Sequence, residues 1–127
     1  GLDHLPLFQP CVGDFAQGQF VSVPLQLWAL PGRPSGARIH QVLDRHYGGS
    51  AFVSVASRDA AAGISSLDPR VLNGTNKMEI CVFANDDAGQ AWLVAIYDNL
   101  GKGASGAAVQ NLDLMLGLGH LAAHRVF

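Results

Sequence analysis

Apolar and polar residues alternate in two separate parts of the chain, and each alternation predicts a β-strand. From Gln19 to Leu27 apolar side chains recur at every second position, the period of a strand with one buried face. Pro24 places this strand at a sheet edge, because proline donates no ladder hydrogen bond. The alternation returns from Lys77 to Phe83, and the turn residues 85–89 connect it to Ala91–Tyr97. That last segment is apolar on both faces and is therefore expected to be the central strand.

Two other segments show the helical period. After Ser35, a good N-cap, apolar residues are spaced three and four apart until Gly48-Gly49 ends the pattern. A final helix is predicted from about 104 to 118. A short strand at Phe52–Val55 lies between the two helices, and residues 57–76 are expected to form a long loop with one helical turn. The whole pattern predicts an α+β fold, a mixed or antiparallel sheet with helices on one face.

The composition of the chain indicates which kinds of partner it can bind. The 127 residues fit one domain, and a net charge of −2 without basic clusters gives no electrostatic footprint for nucleic acid. Only 14% of the residues are charged, against about 25% in ordinary globular chains. We therefore expect part of the surface to be covered by another domain or subunit. No apolar run approaches the roughly 18 residues of a membrane helix, so no membrane partner is expected.

The cysteines offer no metal or redox motif. Cys11 and Cys81 stand far apart, without a CxxC pair or a histidine at metal-ligand spacing. We expect both to be reduced thiols of a cytoplasmic protein, and no metal site. The chain opens with Gly1 rather than methionine, which suggests a fragment or a processed product.

A glycine-rich loop near the end of the chain matches a dinucleotide-binding spacing. Gly101-x-Gly103-x-x-Gly106 follows the apolar strand and opens the last helix. A Rossmann fingerprint, however, opens a βαβ unit with an acidic residue about 20 positions on. Residues 119–127 contain no Asp or Glu and no strand pattern, so we expect this match to the Rossmann fingerprint to be false. Two interpretations stay open: free N–H groups at the helix start receive an anion or an amide, or the glycines permit tight packing.

Four motifs carry a family resemblance. In order they are Leu7-Phe8-x-Pro10-x-Val12-Gly13-Asp14-Phe15, Gly18-x-x-Val21-x-Val23-Pro24-Leu25, Leu72-Asn73-Gly74-Thr75-Asn76 and Asp98-Asn99-Leu100-Gly101-Lys102-Gly103-Ala104-Ser105-Gly106-Ala107-Ala108-Val109-Gln110-Asn111. Together they resemble the C-terminal part of the N-acetyl-γ-glutamyl-phosphate reductases of the shorter bacterial type. That family belongs to the glyceraldehyde-3-phosphate and aspartate-semialdehyde dehydrogenase superfamily. The resemblance covers all but the last few residues, and its most specific motif is the last.

The resemblance implies a two-domain enzyme of which this chain is one part. Its relatives combine an NADP-binding Rossmann domain with an α+β catalytic and oligomerisation domain, and reduce N-acetylglutamyl phosphate to N-acetylglutamate semialdehyde in arginine synthesis. Residues 1–118 would then be a fragment of the second domain and 119–127 a tail. Helix 104–118 would pack on the missing Rossmann domain. The implied partners are that domain, further copies in a dimer or tetramer, NADP and a small-molecule substrate.

Two sets of site residues follow from the resemblance. The set near the nicotinamide comprises Asn99, Gly103, Ala104 and Ser105. The candidates for substrate contact are Asp14, Gln17 and Lys102. Asp98 is expected to fix the turn by hydrogen bonding rather than to act as a base.

No catalytic residue is assigned within the chain. The family's nucleophile occupies a Pro-Gly-Cys setting that neither Cys11 nor Cys81 has. His4-Leu5-Pro6 echoes the setting of the family's histidine without its glutamate, which leaves His4 as the one candidate. The chain alone is therefore expected to be inactive. The alternatives are an aspartate-semialdehyde-type or lysine-pathway reductase domain, and a non-catalytic assembly module.

Overall fold

The computed structural model describes residues 5–118 and has an α+β architecture, which confirms the predicted fold class. Its regular elements follow the predicted order, strand, helix, strand, loop with one helical turn, hairpin and helix. They are β1 (Gln19–Gln26), a 3₁₀ turn (Leu27–Ala29), α1 (Gly36–Tyr47), β2 (Val53–Val55), α2 (Arg58–Ala62), β3 (Met78–Asn85), β4 (Gln90–Tyr97), a π turn (Gly101–Ser105) and α3 (Gly106–Leu116).

The four strands form one mixed sheet in the order β1-β4-β3-β2. β4 pairs antiparallel with both β1 and β3, while the short β2 pairs parallel with β3. The doubly apolar strand is thus central, as its sequence predicts, and the strand that carries Pro24 lies at an edge. The β3–β4 hairpin turns at residues 86–89, where the predicted turn residues stand.

One cluster of buried apolar residues, which contains Cys81, Val94 and Ile96, lies on one face of the sheet. Cys81 and Val94 are directly opposite each other in the β3–β4 ladder, and both are fully buried. Ile96, two residues along β4, shares their face. The segment between α2 and β3 covers this face with Ile64, Leu67 and Leu72. A long connection, rather than a helix, therefore covers this cluster.

Helix α1 packs on β2 and β3 from the opposite face. The Ser35 side chain accepts a hydrogen bond from the Arg38 N–H at 3.2 Å, which confirms the predicted N-cap. Gly36 follows it and lies so close to Ala84 that a Cβ would overlap that methyl group. The His40 ring bonds the carbonyl of Ala56 at 2.9 Å, which ties the helix to the residue after β2.

Two elements leave apolar surface uncovered. β1 has the predicted alternation, but Val21 and Val23 are 42% and 43% exposed, so residues 5–118 do not bury its apolar face. In α3 Met115 is 84% exposed, because this helix packs mainly on the π turn before it. Within residues 5–118, no helix has the length and apolar character needed to cross a membrane.

The last helix differs from its prediction at both ends. The structure places a π turn at Gly101–Ser105 and begins α3 at Gly106, whereas the apolar stripe predicted one helix over 104–118. The difference arises because amides in this turn bond carbonyls five residues back, as Ser105 does to Leu100 at 3.1 Å. At the other end Gly117 adopts the left-handed conformation (φ 66°) and stops the helix. The predicted tail, 119–127, lies outside the described residues.

Candidate functional site

The candidate site residues gather at one end of the sheet. Gln19, at the start of β1, and Met78, at the start of β3, both pair with Tyr97 at the end of β4. The segments before β1 and β3 and the segment after β4 therefore meet. We call the region formed by residues 13–18, 72–77 and 98–105 the loop end. Every assigned candidate except His4, which lies outside the described residues, belongs to it.

The carboxylate of Asp98 lies at the centre of the loop end and is fully buried. Its Oδ2 accepts hydrogen bonds from the N–H of Gly74 at 2.7 Å and from Nε2 of Gln17 at 2.9 Å. Its Oδ1 accepts one from the N–H of Leu100 at 2.9 Å. The expected role of Asp98 in fixing its own turn is confirmed, but the sequence gives no sign of the links to Gly74 and Gln17.

These donors keep Asp98 ionised. Burial by itself would raise the pKa of Asp98, since a carboxylate loses hydration in the interior. Hydrogen bonds to the carboxylate outweigh burial and hold the pKa of Asp98 below its usual value. They come from the backbone amides of Gly74, Leu100 and Gly101 and from the side chain of Gln17. The loop end therefore contains a buried anion solvated by neutral N–H groups.

A second set of hydrogen bonds fixes the same loops. Oδ1 of Asn99 accepts a hydrogen bond from the Gly18 N–H at 2.7 Å. The Asn73 side chain donates to the Gln17 carbonyl at 3.1 Å. Gly18 itself has a φ of 109°, in the region that favours glycine. The start of β1 is therefore bound both to the turn after β4 and to the turn before β3.

The substrate candidates of the first loop occupy different environments. Gln17 is partly buried, and its side-chain amide is bonded to Asp98. Asp14 is exposed on the outside of the same loop. The structure thus brings Gln17 to the centre of the loop end and leaves Asp14 at its rim.

The backbone of the π turn is already hydrogen-bonded. The N–H of Gly103 donates to the carbonyl of Asp98 at 2.9 Å, and that of Ser105 donates to the carbonyl of Leu100. The Gly106 N–H bonds the Gly101 carbonyl. Free N–H groups at the helix start, one of the two interpretations that the sequence left open, are therefore not found at these three positions, because the five-residue spacing gives each amide an internal acceptor. Gly103, Ala104 and Ser105 are exposed and carry at most a small side chain.

Lys102 of the π turn lies partly buried beside α3. Its Nζ donates to Oε1 of Gln110 at 2.7 Å and lies 5.5 Å from the centre of the Phe52 ring. Burial lowers the pKa of Lys102. Among residues 5–118, the one ion pair is Arg70–Asp68, so Lys102 has no carboxylate partner there. The Gln110 contact is one that the sequence pattern does not reveal.

The two cysteines occupy different environments, and Cys81 does not have the surroundings of an activated nucleophile. Cys81 is buried in the core, where burial and then the nearby Glu79 raise the pKa of its thiol. Cys11 is an exposed free thiol in the segment before β1. In the part of the chain that the structure describes, no group of three or more His, Cys, Asp or Glu residues could hold a metal ion.

This α+β domain, with its mixed sheet and loop end, is of the kind found in semialdehyde dehydrogenases. The family model described as "Semialdehyde dehydrogenase, dimerisation domain" matches residues 1–99, and the chain belongs to that family.

Within the family, the chain is similar to particular enzymes. It is 52% identical over 119 residues to an N-acetyl-gamma-glutamyl-phosphate reductase of Mesorhizobium japonicum, with 92% of this chain and 39% of the relative covered. A reductase of the same name from Trichormus variabilis is 54% identical over 121 residues, covering 93% of this chain and 38% of the relative. One from Burkholderia orbicola is 49% identical over 122 residues, covering 96% and 39%. The chain thus spans less than two-fifths of the length of these relatives.

Proposed function

We propose that the chain is the C-terminal part of an NADPH-dependent reductase that converts N-acetylglutamyl phosphate to N-acetylglutamate semialdehyde and phosphate. The observation that carries this proposal is the identity of about one half, across more than nine-tenths of the chain, to reductases of that name. The loop end supports it, since the candidate cofactor and substrate residues lie together there.

Asn99 and the π turn have properties that suit the nicotinamide end of NADP. The Asn99 carboxamide is held through its oxygen by Gly18, which leaves its NH₂ group to donate to a carbonyl such as that of a carboxamide. Gly103, Ala104 and Ser105 are small enough for a flat ring to approach closely. NADPH supplies the hydride when bound, and we assign these residues to holding its nicotinamide.

Lys102, Gln17 and Asp14 are the proposed substrate residues. Lys102 carries a charge without a carboxylate partner in the described residues, and a substrate carboxylate or phosphate would supply one. The Gln17 side chain donates one hydrogen bond to Asp98. That contact fixes the direction in which its carbonyl oxygen and second N–H would meet a substrate. Asp14 at the rim has a free carboxylate to bind a donor group of the substrate.

The proposal also assigns what the chain does not supply. The nucleophilic cysteine would come from the N-terminal part of the enzyme, since Cys81 is a buried thiol with a raised pKa. The exposed apolar side chains of α3 would pack on that part, and β1, exposed on both faces, would join a second copy in a homo-oligomer. Two free cysteines are consistent with a cytoplasmic location.

The test is reconstitution of the reaction. The chain is mixed with a separately expressed N-terminal part, and phosphate-dependent NADP reduction is followed with N-acetylglutamate semialdehyde and, in parallel, with aspartate semialdehyde. We expect activity with the first substrate and none with either part alone. A complex that forms without activity refutes the proposal, and preference for aspartate semialdehyde replaces it with the aspartate-semialdehyde-type reductase.

A further inference from the structure

We propose that Asp98 is a positioning residue, whose buried carboxylate sets the relative placement of the cofactor residue Asn99 and the substrate residue Gln17. This inference rests on the proposed function for its kinetic consequence. Its structural part, one carboxylate binding three segments of the chain, stands on the hydrogen bonds alone.

Asp98 joins segments that are distant in sequence. Gln17 is 81 residues before it and Gly74 is 24 residues before it, yet both donate to the same oxygen, Oδ2. The other oxygen holds Leu100, at the beginning of the turn that leads to Lys102. No residue between 5 and 118 gives Asp98 a cationic partner. The negative charge therefore depends on these neutral donors, and each donor is fixed in turn by the charge.

Two neighbouring hydrogen bonds hold Gln17 and Asn99 in place. Gln17 contacts Asp98 directly, and the next residue, Gly18, donates to Asn99, which follows Asp98 in the chain. The two hydrogen bonds run side by side between residues 17–18 and 98–99. A change at Asp98 alters the position of Gln17 and, through Gly18, that of Asn99, although we assign Asp98 itself no contact with substrate or cofactor.

The kinetic test uses Asp98→Asn in the intact enzyme. The substitution preserves shape but removes the charge and replaces one acceptor oxygen by an NH₂ group. We expect kcat/KM to fall by about 10-fold to 100-fold, the range for leaving a buried donor without its acceptor, with KM for both NADPH and the acyl phosphate raised. Asp44→Asn, an exposed position on α1 with the same charge change, is expected to leave kcat/KM unchanged. A folded Asp98→Asn enzyme with the parental kcat/KM overturns the proposal.

A polarity exchange separates positioning from a general loss of structure. In Gln17→Glu two carboxylates would face each other, so this single variant is expected to be less active than the parent enzyme. Adding Asp98→Asn lets the new NH₂ group donate to the carboxylate introduced by Gln17→Glu, so the double variant should recover several-fold in kcat/KM over each single variant. Recovery is expected to be partial, because the N–H of Gly74 still lacks its acceptor. Strict additivity of the two losses contradicts a direct positioning role.

A measurement independent of the reaction keeps the two proposals distinguishable. In the ¹⁵N-labelled intact enzyme, the backbone amides of Gly74 and Leu100 and the side-chain amide of Gln17 should titrate together, with one midpoint below the ordinary carboxyl range. A shared midpoint in an enzyme without reductase activity supports the positioning network while the proposed function fails. Unrelated midpoints for the three amides overturn the network whatever the activity.

Discussion

Gly18→Ala is expected to destabilise the domain more than an ordinary glycine substitution. A Cβ at this position would lie 2.6 Å from the Pro69 carbonyl oxygen and 2.9 Å from Oδ1 of Asn73. The φ of 109° adds backbone strain of about 1–2 kcal/mol for a residue with a Cβ. Overlap with a backbone oxygen that cannot rotate away adds about 1–3 kcal/mol. We therefore expect a loss of about 3 kcal/mol in the free energy of unfolding.

Gly32→Ala provides the matched control. Gly32 also has a positive φ, 73°, but nothing lies within 4 Å of the Cβ it would gain. Both variants carry backbone strain and both lower the entropy of the unfolded chain, so their difference isolates the overlap. In urea unfolding followed by tryptophan fluorescence, Gly18→Ala should have the lower midpoint, by about 1 M for a slope near 2 kcal/mol/M. Equal midpoints would refute the packing explanation for Gly18.

Three further predictions concern the core, the buried anion and α3. Val94→Ala, which removes two methyl groups from a fully buried position, should cost about 2 kcal/mol; a urea midpoint within error of the parent contradicts this. Because the pKa of folded Asp98 is lowered, its ionisation contributes stability above the unfolded carboxyl pKa, and that contribution is lost as pH falls through the folded value. The stability gap between parent and Asp98→Asn should therefore shrink from pH 7 to pH 3, and a constant gap in urea unfolding is the opposing result. Met115→Glu should leave the thermal midpoint of the chain unchanged and weaken its binding to the N-terminal part, measured by calorimetry; unchanged binding removes α3 from that interface.

The sequence predicts the sheet well because each strand carries its own pattern. The alternation in β1 and β3 and the doubly apolar β4 are local properties, and they place β4 at the centre and Pro24 at an edge before any contact is known. The burial of β1 is not local. Val21 and Val23 alternate as in a half-buried strand, but the surface that would bury them is not found in the described chain. The period of a pattern therefore identifies the secondary-structure element. Whether the apolar face of that element is buried depends on tertiary or quaternary contacts.

The sequence predicts where the candidate site lies but not which hydrogen bonds its residues make. The family motifs bring Gln17, Asn99 and Lys102 into consideration, and the structure gathers them at the loop end. The sequence does not predict that Asp98 binds Gly74 or that Lys102 binds Gln110. Both contacts depend on which segments the folded sheet brings together. A backbone amide such as that of Gly74 leaves no side-chain signal in the sequence, so a contact of this kind escapes any motif search.

Two of the glycines in the last turn lie where close packing leaves no room for a side chain. A Cβ on Gly103 would lie 3.0 Å from the Tyr97 ring, and one on Gly106 would lie 2.8 Å from the Gly101 carbonyl oxygen and closer still to Asn76. The amides of Gly103 and Gly106 are bonded inside the turn, so they are not available to cradle a pyrophosphate. Of the two interpretations left open by the sequence, tight packing accounts for Gly103 and Gly106, whose own amides are bonded inside the turn.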